Sequence, residues 1–303
     1  DPPPFEPENA EWYYIRGVAA ATETEGDCCV DYDEDGAVDA SLSGFFGFQS
    51  AVSAYSSRWF PRGIDTWLVS IETMESVSIL RFHSGTRDLD RDGEPDSEWS
   101  DACLGVARIR VDSDVLGDPL RVREYPDGTL VAGPGEARLP LPTVPAGREG
   151  GDPTNYVLQS VIVHGSLDVE AESSCPIPNG ADSGSDVFAN ADLRVGGLLA
   201  EGEFMRRLEE RTLACECGDP DEPLWRWDPD RSSGALFECT AEDCEDRETD
   251  PVGIWEGCEF YRQTFTETYP TVDADDDGEP ESYSFGLRYD LVPAESVEVE
   301  AEE

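Results

Sequence analysis

Three nine-residue segments of this chain share the pattern D-x-D-x-D-G-x-x-[D/E], which constrains the fold more than any other feature. The first segment spans residues 31–39, the second spans 88–96 and the third spans 273–281. In each segment, carboxylates at positions 1, 3 and 5 project to one side of a tightly wound loop, and glycine at position 6 permits the sharp turn. The pattern therefore predicts three loops that each wind around a cation.

Calcium is the cation that fits this set of oxygen ligands. It accepts about six to eight oxygens in a flexible shell, whereas magnesium prefers a smaller octahedral shell and keeps more of its water. The carbonyl at position 7 and the acid at position 9 complete the predicted shell. The predicted ligands are Asp31, Asp33, Asp35, Ala37, Asp39, Asp88, Asp90, Asp92, Glu94, Asp96, Asp273, Asp275, Asp277, Glu279 and Glu281.

None of the three loops is a complete EF-hand. Position 12 is Leu42, Trp99 or Ser284, where an EF-hand has a bidentate glutamate. The loops are also scattered along the chain, between predicted elements of secondary structure. We therefore predict calcium ions that fasten the fold, rather than a calcium sensor.

The rest of the chain is dominated by short apolar runs between turn signals such as Pro-Asp-Gly and Ala-Gly-Pro-Gly. Strands are predicted near residues 12–18, 67–71, 77–82, 104–111, 120–125, 129–131, 137–141, 155–170 and 283–292, with an edge-like charged strand at 296–303. Amphipathic helices are predicted over 42–59 and 197–214. The sequence thus favours a mainly β fold, a β-sandwich or jelly roll with two amphipathic helices and a disulfide-rich loop region.

The domain organisation follows from these patterns. Residues 1–18 are predicted to form an extended N-terminal arm and first strand, because the chain begins with a proline-rich acidic stretch. Residues 19–303 are predicted to form a single calcium-stabilised β-rich domain. Within it, residues 212–262 form a cysteine-rich subregion.

Nine cysteines indicate disulfide bonds. Cys28 and Cys29 are adjacent, so each is expected to pair with a distant segment, for which Cys103 and Cys175 are the natural candidates. The alternative is a zinc site, whose thiolates would be Cys215, Cys217, Cys239 and Cys244. The Cys-x-Cys spacing and the lack of a nearby histidine disfavour zinc. An odd number of cysteines leaves one thiol free or bonded to another chain.

The chain has 68 acidic residues against 21 basic ones, all of them arginine, and a formal net charge of -47. Nucleic acid is excluded as a partner, since phosphate binding needs a basic surface. No apolar run approaches the roughly 20 residues that cross a bilayer. A saline habitat favours such acidic surfaces, and a G+C-rich genome favours arginine over lysine. The start at Asp1 indicates a removed signal peptide, so we expect an extracellular or cell-surface location.

The loops resemble the calcium loops of dockerins and thrombospondin type 3 repeats, in which the ion is chiefly structural. Over most of its length, the chain resembles secreted or lipid-anchored surface proteins of myxobacteria and related marine bacteria. The matching motifs are CCVDxDxDGxVD at residues 28–39, an Ala-Gly-Pro turn at 132–134, and DADxDGEPxxYSFGLR at 273–288. The resemblance implies a surface protein whose biochemical role is undefined.

No nucleophile elbow, zinc-protease motif or phosphate loop is present, and His83 and His164 both lie in strand-like segments. We therefore predict a protein that is not an enzyme. The predicted function is that of a calcium-stabilised, disulfide-bonded extracellular structural or interaction protein, such as a subunit of a surface assembly or filament. It would self-associate or bind other surface proteins.

Two other functions remain open. One is a secreted carbohydrate-binding module or adhesin, in which Trp225, Trp227 and Trp255 stack on the sugar rings of glycans. The other is a secreted hydrolase that uses a pair of carboxylates.

Overall fold

A computed structural model describes residues 9–21, 30–32, 39, 41–42, 66–74, 77–89, 95–115, 117–141, 154–167, 193–204, 271–274 and 280–299. The strands within these residues are β1 (Ala10–Ala20), β2 (Thr66–Met74), β3 (Val77–Thr86), β4 (Arg108–Val115), β5 (Leu120–Glu124), β6 (Leu130–Leu141), β7 (Thr154–Gly165), β8 (Leu193–Ala200), β9 (Ser282–Pro293) and β10 (Ser296–Val299). One short helix, α1 (Trp99–Cys103), precedes β4, and a helical turn at 201–204 follows β8.

Eight of these strands form a closed antiparallel barrel in the order β1-β9-β8-β7-β6-β5-β3-β2. The barrel closes because β3 pairs with β2 on one side and, through residues 78–80, with β5 on the other. The upper half of β3 pairs instead with β4, and β10 lies parallel to β4 at the edge of the sheet. Strands β4 and β10 therefore extend the barrel wall as a two-stranded flap.

The prediction of a mainly β fold is confirmed, but the predicted β-sandwich or jelly roll is wrong. A sandwich consists of two separate sheets, whereas here a single sheet closes on itself. Alternating buried and exposed residues are common to both architectures. The pairing between β3 and β5, which decides between them, depends on a register that no local pattern encodes.

Side chains from alternate positions of all eight strands fill the barrel interior, as expected for a barrel of this size. Aromatic rings dominate its middle, where Tyr289 makes edge-on contacts with Trp67 and Phe82 at centroid distances of 6.3 Å. Phe204, on the turn after β8, packs between Tyr156 and Tyr283 at 5.9 and 5.8 Å. Burial of these rings, together with the aliphatic side chains of the same core, stabilises the barrel.

A second, smaller core lies outside the barrel wall. Here α1, β4 and β10 cover the outer face of β1 and β2. Its buried members are Tyr14, Leu68, Ala102, Ala107, Ile109, Val111 and Val292. The segment from α1 to β10 is thereby fixed to the barrel by apolar packing as well as by hydrogen bonds.

Most predicted strands are confirmed, including residues 296–299 of the edge strand at the acidic C-terminus, but three local predictions are wrong. Residues 197–200, predicted to begin a helix, belong to β8. The Ala-Gly-Pro-Gly segment, predicted as a turn, lies inside β6, where two register shifts bulge the strand and accommodate the proline. Leu104 and Gly105 form a turn after α1, so β4 starts only at Arg108. The rest of the predicted helix at 42–59 beyond Leu42, and subregion 212–262, lie outside the described residues.

Candidate functional site

All three acidic loops lie at the same end of the barrel. Neighbouring barrel strands run antiparallel, so β1 and β3 finish at the end where β9 begins. The first loop follows β1, the second follows β3 and the third immediately precedes β9. We call this end the loop end, and the opposite end, where β2 meets β3 and β5 meets β6, the turn end.

The three loops close in the same way. In each, the carboxylate at position 9 accepts a hydrogen bond from the backbone N–H at position 2. The bonds run from Tyr32 to Asp39 Oδ2 at 2.6 Å, from Leu89 to Asp96 Oδ2 at 2.6 Å, and from Ala274 to Glu281 Oε1 at 2.7 Å.

A second hydrogen bond closes each loop through the backbone. The N–H at position 9 donates to the carbonyl of the residue just before the loop. The bonds run from Asp39 to Val30 at 2.9 Å, from Asp96 to Arg87 at 2.9 Å, and from Glu281 to Val272 at 3.2 Å. These two bonds flank position 1, so the first and last acids of each loop are brought to the same place.

The third loop offers a direct test of whether the residues fit a metal ion. One oxygen of Glu281 holds the loop closed, whereas the other, Oε2, is buried and has no hydrogen-bond partner among the described residues. A buried carboxylate oxygen without a partner is strongly destabilising. A cation beside Glu281 would satisfy this oxygen, so the residues present fit the ion that the sequence predicts.

The described residues contain only part of each predicted ligand set. Positions 1 and 9 are described, whereas the ligands at positions 3, 5 and 7 lie outside the described residues. The latter are Asp33, Asp35, Ala37, Asp90, Asp92, Glu94, Asp275, Asp277 and Glu279. Among the described side chains, no group of three or more His, Cys, Asp or Glu residues could hold a metal ion.

The first and third loops are joined to each other through β9. Ser284, at position 12 of the third loop, accepts a hydrogen bond at 2.9 Å from the backbone N–H of Leu42, at position 12 of the first. The neighbouring Ser41 N–H donates to the Ser284 hydroxyl at 2.9 Å. The Leu42 side chain is 1% exposed and packs into the barrel core. Position 12 therefore anchors these loops to the barrel.

The second loop is held by side chains that sequence analysis did not identify. Arg110 on β4 donates from Nη2 to the carbonyl of Asp88 at 3.1 Å and from Nη1 to the carbonyl of Leu89. The Asp88 N–H donates to the Thr86 hydroxyl at 3.0 Å. The fully buried Arg87 donates to the carbonyl of Ser97 at 2.8 Å. This loop is thus fixed to both β3 and β4.

A buried polar pair on the outer face of the barrel wall was also missed. Ser70 and His83 lie 2.7 Å apart, from Oγ to Nε2, and His83 is 1% exposed. Burial, assisted by the charge of Arg81, lowers the pKa of His83 to about 3. So weak a base cannot activate a hydroxyl near neutral pH, and we interpret the pair as structural.

Two buried ion pairs occupy the same wall. Arg81 Nε donates to Glu72 at 3.2 Å, and Arg16 makes a two-point contact with Asp290 at 2.8 and 3.0 Å. Buried charges persist in folded proteins when they are paired in this way. His164, in contrast, is exposed on β7.

Cys103, at the end of α1, takes part in a disulfide bond. The other eight cysteines, including the four of the zinc alternative, lie outside the described residues. Trp225, Trp227 and Trp255 lie outside them as well.

No protein-family description, curated protein or solved structure is similar to this chain at a significant level. Within the described residues, no helix combines the length and the apolar character that crossing a membrane requires.

Proposed function

We propose that this chain is a calcium-stabilised, disulfide-bonded extracellular structural protein, in which three bound calcium ions hold one end of a β-barrel in shape. The observation that carries the proposal is the shared closure of three loops that carry the same ligand pattern. Loops far apart in sequence have the same two hydrogen bonds around the first and last acids. Chance clusters of aspartate in an acidic chain have no reason to share this geometry.

The ion would be held mainly by carboxylates. In the first loop these are Asp31, Asp33, Asp35 and Asp39, together with the carbonyl of Ala37. The second and third loops offer the corresponding residues from Asp88 to Asp96 and from Asp273 to Glu281. Calcium supplies two positive charges at a point where four like charges would otherwise repel one another. The protein contributes the closing hydrogen bonds, which place position 9 beside position 1.

A structural role fits the loops better than a sensor role. Each loop leads within three residues into a fixed element: the buried Leu42, the first residue of α1, or β9. Sensor loops instead end in a glutamate that moves a helix when the ion binds. The ions therefore act as fasteners.

An extracellular location agrees with this chemistry. Extracellular calcium modules bind with dissociation constants of about 10⁻⁴ to 10⁻³ M, which suits the millimolar calcium outside cells. The disulfide at Cys103 is typical of an oxidising compartment. The net charge of -47 keeps such a protein dissolved and favours divalent cations over anionic partners.

The position of the long connections supports an interaction role at the loop end. The connections there span residues 21–65, 87–107, 142–153 and 201–281. At the turn end, two of the three connections span only 75–76 and 125–129, and the third spans 166–192. Binding residues are commonly carried on loops that a rigid scaffold positions. We therefore propose the loop end as the surface that binds other surface proteins or further copies of this chain.

The predicted N-terminal arm is not a free strand for such an assembly. β1 pairs with β2 along one edge and with β9 along the other. Donation of residues 10–18 to a neighbouring molecule would therefore open the barrel. Contacts made by the loop end need no such opening.

Calorimetric calcium titration of the full-length protein tests the proposal. We expect three calcium ions per chain, and two in each variant that carries two asparagines in one loop: Asp33→Asn with Asp35→Asn, Asp90→Asn with Asp92→Asn, or Asp275→Asn with Asp277→Asn. Asp118→Asn, an exposed acid outside the loops, serves as the control and should leave three. A stoichiometry that is unchanged by all three loop variants would overturn the proposal.

A further inference from the structure

We propose that this chain assembles head to tail, with a row of arginine side chains on one barrel wall bound to carboxylates on the opposite wall of a second copy. The contact is made by the walls of the barrel and not by the calcium loops, so the inference goes beyond the proposed function. Calcium binding and this assembly can be measured separately.

A row of arginine and histidine residues crosses five neighbouring strands of the sheet. Strand register places Arg288 of β9 opposite Arg194 of β8, and Arg194 opposite His164 of β7. His164 lies opposite Val131 of β6, which lies opposite Arg123 of β5. Because neighbouring strands are about 4.8 Å apart, this arginine row extends about 19 Å around the wall. Three of its five positions are arginine, in a chain with 68 acidic residues and only 21 arginines.

The arginine row lies on the outer face of the barrel. The residues on either side of Arg194 and of Arg288 belong to the barrel core, so strand alternation turns both arginines outward. These two side chains are partly buried, whereas Arg123 and His164 are exposed. Arg121, two residues before Arg123 on the same face of β5, is exposed as well. No ion pair within the described residues involves Arg121 or Arg123, so a partner can reach both.

The chemistry of the arginine row selects a partner rich in carboxylates. Like charges directly opposite one another destabilise a sheet, so carboxylates that approach the row stabilise it. A guanidinium group binds a carboxylate through two parallel hydrogen bonds, which gives such a contact a defined geometry. The row cannot bind the same row of another copy, because arginine would then face arginine. A two-fold symmetric dimer through this wall is therefore excluded.

Matching carboxylates lie on the opposite wall of the same barrel. β7, at the centre of the row, is four strands away from β2 in either direction around the closed barrel. The wall at β2 is covered by α1 and β4, and this side exposes Glu98, Asp101 and Glu295, which we call the acidic patch. Backbone hydrogen bonds hold the patch together. Asp101 N–H donates to the Glu98 carbonyl at 3.1 Å, Val106 N–H donates to the Asp101 carbonyl at 2.9 Å, and Glu295 N–H donates to the carbonyl of the adjacent Gly105 at 2.9 Å.

Each of the two walls also exposes an apolar side chain beside its charges. Val106, within the acidic patch, is 46% exposed. Tyr125, two residues after Arg123, is 43% exposed. Protein interfaces are enriched in tyrosine and combine an apolar centre with a polar rim. The two walls are therefore complementary in charge, and both supply apolar surface to the contact.

The placement of the two surfaces determines the form of the assembly. A copy whose acidic patch binds the arginine row of its neighbour still presents its own row on the far wall. The contact is heterologous, since different surfaces of the two copies meet. Heterologous contacts that do not close into a ring extend into open chains. A second copy bound in this way therefore gives a filament.

Sedimentation velocity of the full-length protein in millimolar calcium tests the assembly. Salt is held at about 0.15 M, where charges more than about 8 Å apart are largely screened and direct contacts persist. The wild-type mass should rise with protein concentration past that of a dimer. Arg123→Glu should weaken association about tenfold or more, because it reverses a charge at the contact. Arg138→Glu is the matched control, an exposed arginine of β6 outside the row, and should leave association unchanged.

A mixture of two variants tests the head-to-tail arrangement. One variant carries Arg121→Glu with Arg123→Glu, and the other carries Glu98→Arg with Glu295→Arg. At a concentration where wild type forms chains, each variant alone should be monomeric, and circular dichroism should show that both are folded. An equal mixture should form dimers and no longer chains, since each pair of unlike variants has one intact contact.

Four results would overturn the proposal. These are a wild-type protein that stays monomeric, a wild-type mass that stops at a dimer, an equal loss of association in Arg123→Glu and Arg138→Glu, and a mixture that stays monomeric. Calcium stoichiometry, measured by calorimetry on the same samples, should be three in every variant. Loss of association with three calcium ions still bound would leave the proposed calcium-stabilised fold standing.

Discussion

The two ends of the barrel close their connections in different ways. At the turn end, residues 125–129 form a tight turn in which Tyr125 N–H donates to the Thr129 carbonyl at 2.8 Å. Asp127 completes this turn by accepting from the backbone N–H and the hydroxyl of Thr129, at 3.0 and 2.6 Å. At the loop end, long acidic connections are closed by a carboxylate at position 9 of each nine-residue loop. The same type of residue therefore closes both ends.

The two ends differ in whether the oxygen atoms of the closing carboxylate all have a partner. Asp127 is exposed to water, and its bonds to Thr129 lower its pKa, so the turn is complete without help. Glu281 has one bonded oxygen and one buried oxygen without a partner among the described residues. A short turn is thus specified by its own hydrogen bonds, whereas the acidic loops need a cation. The comparison predicts that calcium acts on one end only.

The largest expected effect tests whether the two ends share one core. Phe285→Ala, near the loop end, should lower the free energy of unfolding by about 3–5 kcal/mol, and Leu130→Ala, at the turn end, by about 2–5 kcal/mol. Both residues belong to the same buried cluster. For each variant, urea unfolding should show the same loss of unfolding free energy with calcium as without it. A loss for Phe285→Ala that disappears in a chelator would mean that the core depends on the ions.

A prediction of intermediate size concerns His83, in the barrel wall between the two ends, and the pH dependence of stability. The pKa of His83 is lowered from its ordinary 6.5 to about 3, mainly by burial. Between these two pH values, the unfolded chain therefore binds a proton at His83 that the folded chain does not bind. The contribution of His83 to the free energy of unfolding is complete above pH 6.5. It is lost as the pH falls, by about 1.4 kcal/mol per pH unit.

His83→Gln should flatten this dependence, measured as the urea unfolding free energy between pH 6.5 and 4, relative to wild type. The exposed His164→Gln should change it much less. The difference between the two variants should be the same with and without calcium, because His83 contacts neither end. A slope that is equal in wild type and His83→Gln would show that His83 is protonated in the folded protein.

The smallest expected effect compares the two closing carboxylates. Glu281→Gln keeps an oxygen that accepts the Ala274 N–H but removes the charge. In calcium it should be less stable than wild type by about 1–3 kcal/mol, because a filled site contributes on this scale. In a chelator it should be at least as stable as wild type, since the repulsion between the loop carboxylates is reduced.

Asp127→Asn is the matched change at the turn end. Its thermal midpoint should shift by the same amount in calcium and in a chelator. A calcium-dependent shift for Asp127→Asn, or a calcium-independent one for Glu281→Gln, would remove the distinction between the two ends.

Much of this architecture could be predicted from sequence because it is local. The strands follow from alternating apolar residues, and the three loops follow from their nine-residue pattern. β8 was missed because LRVGGLLA is rich in leucine and lacks alternating polar residues. Its Gly197 is required by a neighbour distant in sequence, since a Cβ there would lie 2.7 Å from a ring carbon of Phe285.

The features that could not be predicted depend on the register between distant strands. Closure of the barrel requires β3 to pair with both β2 and β5. Arg110 contacts residues of the second loop that are 21 and 22 positions away in sequence, and this contact depends on the pairing of β3 with β4. The convergence of the loops at one end follows from the directions of β1, β3 and β9. The sequence alone predicts the three loops but not their arrangement at one end of the barrel.

The claim that calcium stabilises only the loop end is tested most directly by amide hydrogen exchange of the wild-type protein. Exchange is measured at both ends of the barrel, in millimolar calcium and in a chelator. Calcium should slow exchange in the segments 30–42, 86–97 and 271–284 and leave the 125–130 turn unchanged. Equal slowing at both ends, or no slowing in the three loop segments, would contradict the account.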